Sequence, residues 1–208
     1  MDLVVFGAGG RAGRRVVAEA LRRGHRVTAV VRDPAKYAGE LDGARVVAGD
    51  VTDAASVAAA AAGQEAAVNA AAEVTADPHA FFTSASRALA DGLAGAGVGR
   101  LVAVGLSSVL PGALGVPLMD EPGYPSEYRA FFLGHAAGLA ELEKSDLDWV
   151  YAAPAGDFDH TGASTGRYRV APHSSAESLI TYADFALALL DELESPKHHG
   201  TSVSFTAA

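Results

Sequence analysis

The sequence predicts an α/β fold: a doubly wound parallel sheet with helices on both faces, in three layers, as one domain over residues 1–208. Three observations predict it. Short apolar runs alternate with longer stretches of helical periodicity from Leu3 to Pro154. Those runs are apolar at nearly every position, which is how strands buried on both faces read. The first run leads through a glycine-rich turn into a helix and a second apolar run, and such parallel crossovers are right-handed. Residues 1–152 form the expected core. In residues 153–208 the alternation breaks down, as a small substrate-binding region would require.

Leu3 to Phe6 is too short for a helix and suits a buried strand. Val16, Val17, Ala20 and Leu21 repeat at helical spacing until Gly24, a C-cap, and Arg26 to Val31 is the second strand. Asp33-Pro34 starts a short turn or helix through Tyr37, and Ala44 to Ala48 is the third strand. Thr52 or Asp53 caps an alanine-rich helix that Gly63 closes, and Glu65 to Asn69 is the fourth strand. A long helix from Ala80 to Ala96 follows Pro78, and Leu101 to Gly105 is the fifth strand. Leu110 to Pro125 is a Pro- and Gly-rich loop that could cover a substrate. Ser126 is placed to cap a helix through Lys144, and Leu147 to Ala152 is the sixth strand. Beyond Pro154, Gly156 to Gly166 reads as irregular. Arg167 to Val170, Leu179 to Tyr182 and Val203 to Thr206 read as short strands, with an amphipathic helix at Asp184 to Leu193.

The turn after the first strand carries the chemistry. Gly7, Gly10 and Gly13, with Gly9, Arg11 and Ala12 between them, stand where a backbone must turn sharply and let an anion approach without a Cβ in the way. The free amides and dipole of the following helix then hold a pyrophosphate. A glycine triplet alone is weak evidence. One that follows a strand and opens a helix is the dinucleotide-binding arrangement. The residue ending the second strand selects the nucleotide, an acid reading a ribose 2′-OH and an arginine accommodating a 2′-phosphate. Arg32 stands there with Lys36 close behind, so NADP(H) is expected over NAD(H), with Asp33 as the counter-argument. Asp50 and Val51 end the third strand, where they either meet an adenine or simply form a turn. Asn69, Ala70 and Ala71 fall where strand tips of an open sheet face a ligand.

Composition excludes several functions. A formal charge of −9 argues against a nucleic-acid surface, and Arg14, Arg15, Arg22 and Arg23 read as the wet face of the first helix. There is no cysteine, which removes disulfides, thiolate catalysis and cysteine metal sites. No apolar run approaches transmembrane length, so neither a membrane nor nucleic acid is an expected partner. A cytoplasmic protein acting on a small molecule is expected, with a second copy of the chain as a candidate partner because alanine-rich helix faces pack closely. Asp157, Asp159 and His160 carry metal-capable side chains in a loop, but no metal site is expected from them.

Taken together, the glycine turn, Arg32, Gly49-Asp50-Val51, Asn69-Ala70-Ala71, Ser107-Ser108, the run Ser145 to Trp149 leading to Pro154, and Tyr182 to Ala186 resemble the atypical short-chain dehydrogenase/reductases. The resemblance is to the NmrA-like and biliverdin-reductase-B-like sort and covers essentially the whole chain. It implies a Rossmann fold binding NADP(H) across the strand tips. It also implies reduction of small carbonyl, flavin or tetrapyrrole-like substrates, redox-neutral isomerisation or dehydration, or mere sensing of the NADP redox state. The wider superfamily carries Tyr-x-x-x-Lys, whereas here Tyr124 is followed by Tyr128 and Tyr128 by Phe132. No lysine stands in that position, so nothing of this motif lowers a tyrosine pKa as that lysine would, and tyrosine-acid catalysis of that kind is not expected. Ser107 and Ser108 at the fifth strand tip are candidates to touch substrate. Tyr128 is a candidate donor or a rim residue, and His135, two turns along the same expected helix, is a candidate acid or a buried packing residue.

Overall fold

The computed structural model describes residues 1–208. Ten strands and five helices follow in order: β1 (Asp2–Phe6), α1 (Arg11–Arg22), β2 (Arg26–Val31), β3 (Arg45–Ala48), α2 (Ala54–Ala61), β4 (Ala66–Asn69), α3 (Pro78–Ala96), β5 (Arg100–Val104), α4 (Arg129–Leu142), β6 (Asp148–Pro154), β7 (Asp157–Asp159), β8 (Tyr168–Val170), β9 (Leu179–Thr181), α5 (Tyr182–Glu194) and β10 (Thr201–Ala207). An eight-stranded sheet runs β3-β2-β1-β4-β5-β6-β10-β8, and β7 pairs with β9 in a separate ribbon. Every pair in the large sheet is parallel except β10 with β8. This is the doubly wound α/β sheet that the apolar runs predicted.

The sheet is apolar on both faces because helices cover both. Leu3 and Val5 of β1 face α1 and α5 with Val16, Phe185 and Leu189, while Val4 and Phe6 face α2, α3 and α4 with Val57, Leu89 and Leu142. Each fully buried leucine or phenylalanine contributes roughly 1.5–3 kcal/mol by removal from water. No helix is long and apolar enough to cross a membrane.

Local sequence explains the element ends. Asp53 and Asp77 cap α2 and α3, their carboxylates accepting from Ala55 N and Ala80 N at 3.0 and 2.7 Å. Pro78 is therefore the first helical residue rather than a residue ahead of the helix. The expected helix from Ser126 starts only at Arg129, so Tyr128 precedes it and is exposed. Part of the stretch expected to be irregular forms β7. The first helix is not uniformly wet on its basic side. Arg23 lies half-buried between α1 and α5, donating to Glu19, Asp191 and Glu194 at 2.6–2.7 Å.

The order of strands positions the site. β1 is flanked by β2 on one side and β4 on the other, so connections leave it in opposite directions and open a crevice at the carboxyl ends of β1 and β4.

Candidate functional site

That crevice is a groove of about 320 Å³ lined by the glycine turn, the ends of β2 and β3, and the segment after β4. Gly7 has φ 72°, and a Cβ there would lie 2.5 Å from the backbone of Ala71, so both conformation and space demand glycine. A Cβ on Gly13 would lie 2.2 Å from the Gly7 carbonyl, which is how closely α1 packs on the turn. Gly13 and Ala12 thus shape the turn without lining the groove. The amides of Arg11, Ala12 and Gly13 donate to nothing within the protein, as expected of a helix start. With the helix dipole, they could hold an anion beside the groove.

Arg14 secures the turn from outside: its Nε donates to Gly9 O at 2.7 Å and its guanidinium lies 5.6 Å from the Tyr37 ring centroid. Tyr37 packs over Gly9, where a Cβ would collide with its ring at 2.2 Å. Tyr37 also lines the groove, a role that its place in a short turn did not reveal.

Arg32 reaches the far end of the groove with Val51, Asp50 and Thr52. It pairs with Glu73, Nη1 to Oε2 2.5 Å. Glu73 carries no sequence signal beyond being an acid shortly after Asn69-Ala70-Ala71, and nothing in the sequence indicates the cation it faces. Asp50 is mainly a turn residue: its carboxylate accepts from Thr52 N and Oγ1 at 2.8 and 2.7 Å. Those two bonds, helped more weakly by Arg32, hold its carboxyl below the ordinary range. Lys36 is not brought to the groove. It is exposed and turned toward Asp33 at 3.8 Å, while Asp33 caps its own turn by accepting from Ala35 N. Ala70 and Ala71 line the groove, whereas Asn69 supports them from behind, its Oδ1 accepting from Ala71 N at 3.1 Å.

Past the glycine turn, on the Arg11 side, opens a second cleft of about 960 Å³. Leu106, Ser107 and Ser108 form its base at the tip of β5, Tyr124, Phe131 and Phe132 one wall, and Gly156, Asp157, His160 and Tyr182 the other. The loop expected to cover a substrate contributes Tyr124 and Pro125 to this cleft, and the C-terminal region contributes the opposite wall. Tyr182 is held by stacking on Phe158, ring centroids 3.9 Å apart.

Both serine hydroxyls are engaged. Ser107 Oγ donates to Gly156 O at 2.7 Å, tying the two sides of the cleft together. Ser108 Oγ and Tyr124 Oη share a hydrogen bond at 3.0 Å, so a phenol and a hydroxyl stand together on the cleft wall. Tyr128 sits at the rim, largely exposed.

His135 does not reach the cleft, and the expectation of an acid or relay there is corrected. It is buried against Phe82, ring centroids 3.8 Å apart, and its Nδ1 accepts from Tyr151 Oη at 3.0 Å. Burial pushes its pKa down to about 3, so it is neutral at physiological pH. Tyr151 Oη accepts from Leu106 N at 3.0 Å and its ring packs on Gly105. Burial raises the Tyr151 pKa, with the Leu106 bond opposing it, so Tyr151 is neutral as well. The chain Leu106–Tyr151–His135 therefore fixes the backbone that carries Ser107 and Ser108.

Comparison with known proteins gives the arrangement a context. The profile of a family described as NAD(P)H-binding matches residues 7–196. The uncharacterized protein YwnB of Bacillus subtilis is 36% identical over 212 residues, covering 95% of this chain and 94% of its own. A Streptococcus pneumoniae structure, provisionally named an NADH-flavin reductase, superposes with a TM-score of 0.86 at 30% identity over 100% of both chains. A Bacteroides thetaiotaomicron structure provisionally named an epimerase gives 0.83 at 31% identity, over 99% of this chain and 96% of that one.

Proposed function

The chain belongs to the NAD(P)H-binding family, within the atypical short-chain dehydrogenase/reductases it resembles, and on that premise we propose that it is an NADP(H)-dependent oxidoreductase acting on a small organic acceptor of carbonyl, quinone or flavin type. One observation carries the reading: a groove with unsatisfied helix amides beside the glycine turn and Arg32 in its lining has, across that turn, an aromatic-walled cleft with hydroxyl groups. The provisional name of the Streptococcus pneumoniae relative supports an acceptor of this class.

The residues present fit the cofactor. The amides of Arg11, Ala12 and Gly13 suit its pyrophosphate, and Gly7 and Gly10 leave room for close approach. Val51 offers an apolar surface to an adenine and Arg32 a guanidinium to a ribose 2′-phosphate. When bound, NADPH supplies a hydride. The chain's own part is to orient the acceptor and supply a proton. Ser108 and Tyr124 offer a hydrogen-bonded pair of hydroxyls to an acceptor oxygen in the cleft, and Tyr124 is the proton donor, its phenol partnered by Ser108 Oγ in place of the absent lysine. The aromatic walls exclude water from a planar substrate.

The test is titration of the purified protein with NADPH and NADH, followed by an acceptor panel. Micromolar NADPH binding that Arg32→Glu weakens more than about tenfold supports the cofactor reading. No binding of either nucleotide overturns it. Oxidation of NADPH with any acceptor, slowed by Tyr124→Phe, supports the enzyme. Tight binding with no turnover favours a non-catalytic NADP(H) sensor, and product formation without net NADPH consumption favours redox-neutral chemistry.

A further inference from the structure

The adenosine end of the groove contains its own anion. Glu73 is half-buried with 14% of its side chain exposed, against 75% for Arg32, so the carboxylate is the fixed partner and the guanidinium the mobile one. The fixing is visible: Thr75 N and Thr75 Oγ1 both donate to Glu73 Oε1, at 3.0 and 2.7 Å, leaving Oε2 to face Arg32 at 2.5 Å. Glu73 and Arg32 come from opposite walls, one from the segment after β4 and the other from the end of β2, and both line the groove. Resting on the reading that Arg32 receives a ribose 2′-phosphate, we propose that Glu73 sets the cofactor ratio: it occupies the guanidinium that the 2′-phosphate needs and so holds down the preference for NADP(H) over NAD(H).

The charges argue for it. The Thr75 hydroxyl, the Thr75 amide and then Arg32 hold the Glu73 carboxyl down at about 2, so it is an anion throughout the physiological range. Asp50 adds a second carboxylate to the lining of the groove, and Lys36 does not line it. A 2′-phosphate brings roughly two negative charges near neutral pH. It must draw Arg32 away from Glu73 and then stand near that carboxylate. A 2′-hydroxyl meets no such penalty and can donate to the same oxygen. Glu73 therefore acts on the difference between the two nucleotides and not on binding common to both.

Dissociation constants for NADPH and NADH are measured on wild type, Glu73→Gln, Arg32→Ala and the double variant. Glutamine keeps a carbonyl to accept from Thr75, so the segment stays anchored while the charge is removed. Glu73→Gln should raise the NADPH-over-NADH preference by about three- to tenfold, mainly through tighter NADPH binding. Arg32→Ala in the Glu73→Gln background should erase that gain. A ratio unchanged in Glu73→Gln, or a gain that survives without Arg32, overturns the inference. If in the same experiment NADPH binding to wild type still depends on Arg32, the functional reading stands without it. A wild type that binds neither nucleotide removes both.

Discussion

Replacing His135 by asparagine should flatten the stability loss on mild acidification. The imidazole titrates near 6.5 when free and near about 3 in the folded chain, where burial opposes its charge. Between those values the unfolded chain takes up a proton that the folded chain refuses. Folding is therefore favoured more at higher pH, and the advantage is lost as pH falls from about 6.5 toward about 3. The cost is about 0.2 kcal/mol at about pH 7 and about 2 kcal/mol at about pH 5. For a chain of this size that difference is about 4–8 °C in Tm. Asparagine can still accept from the Tyr151 hydroxyl that now donates to Nδ1. The rings packed on His135 are Phe82, Phe131 and Tyr151, of which Tyr151 alone titrates, and it stays neutral across this window. The asparagine variant starts less stable by a pH-independent packing loss of about 1–3 kcal/mol. Urea unfolding followed by circular dichroism at both pH values measures the slope. If wild type and variant lose the same stability on acidification, His135 is not held neutral and its separation from the cleft chemistry is wrong.

Tyr151→Phe leaves the Leu106 amide without its acceptor, so stability should fall by about 1–3 kcal/mol in urea unfolding. Because Leu106 leads into Ser107 and Ser108, turnover should fall more than NADPH affinity, and an equal fall in both would count against a positioning role. Gly7→Ala puts a Cβ into the Ala71 backbone at a φ of 72°, so it should cost about 2 kcal/mol or more and abolish nucleotide binding. Retained affinity in calorimetry would deny that the turn is the phosphate cradle. Asp184 accepts from Ser164 Oγ, Thr165 N, Thr165 Oγ1 and Gly166 N at 2.6–3.3 Å. Asp184→Ala should cost about 3 kcal/mol and expose residues 162–167 to limited proteolysis, and an unchanged digestion pattern would contradict that anchoring.

The cofactor half of the molecule was legible because its physics is local. A strand tip, a glycine that needs φ 72° and a helix start lie within one stretch, so spacing alone locates the glycine turn that borders the groove. Arg32 follows from the end of β2 by the same reasoning. Glu73, Tyr37 and the Ser108–Tyr124 pair were not legible, because each owes its place to a partner far along the chain or on another element. His135 shows the limit from the other side. Its residue type invites acid–base chemistry, but burial against Phe82 decides its protonation, and burial depends on how α3 and α4 meet. The C-terminal third was readable as short strands yet not as partners: nothing local says that β10 lies parallel to β6, or that β7 pairs with β9 apart from the main sheet.

The tenth strand in chain order, β10, stands seventh in the sheet, between β6 and β8. While the chain is being made, β8 is synthesised before its only neighbour in that sheet. Until residues 201–207 follow, β6 presents the apolar run Val150 to Ala153 along an open hydrogen-bonding edge. Final closure thus waits for β10. A shortened chain that stops before residue 201 would keep its glycine turn but leave a sticky margin for other nascent chains to join, so its failure in a cell would be aggregation before any loss of nucleotide grip.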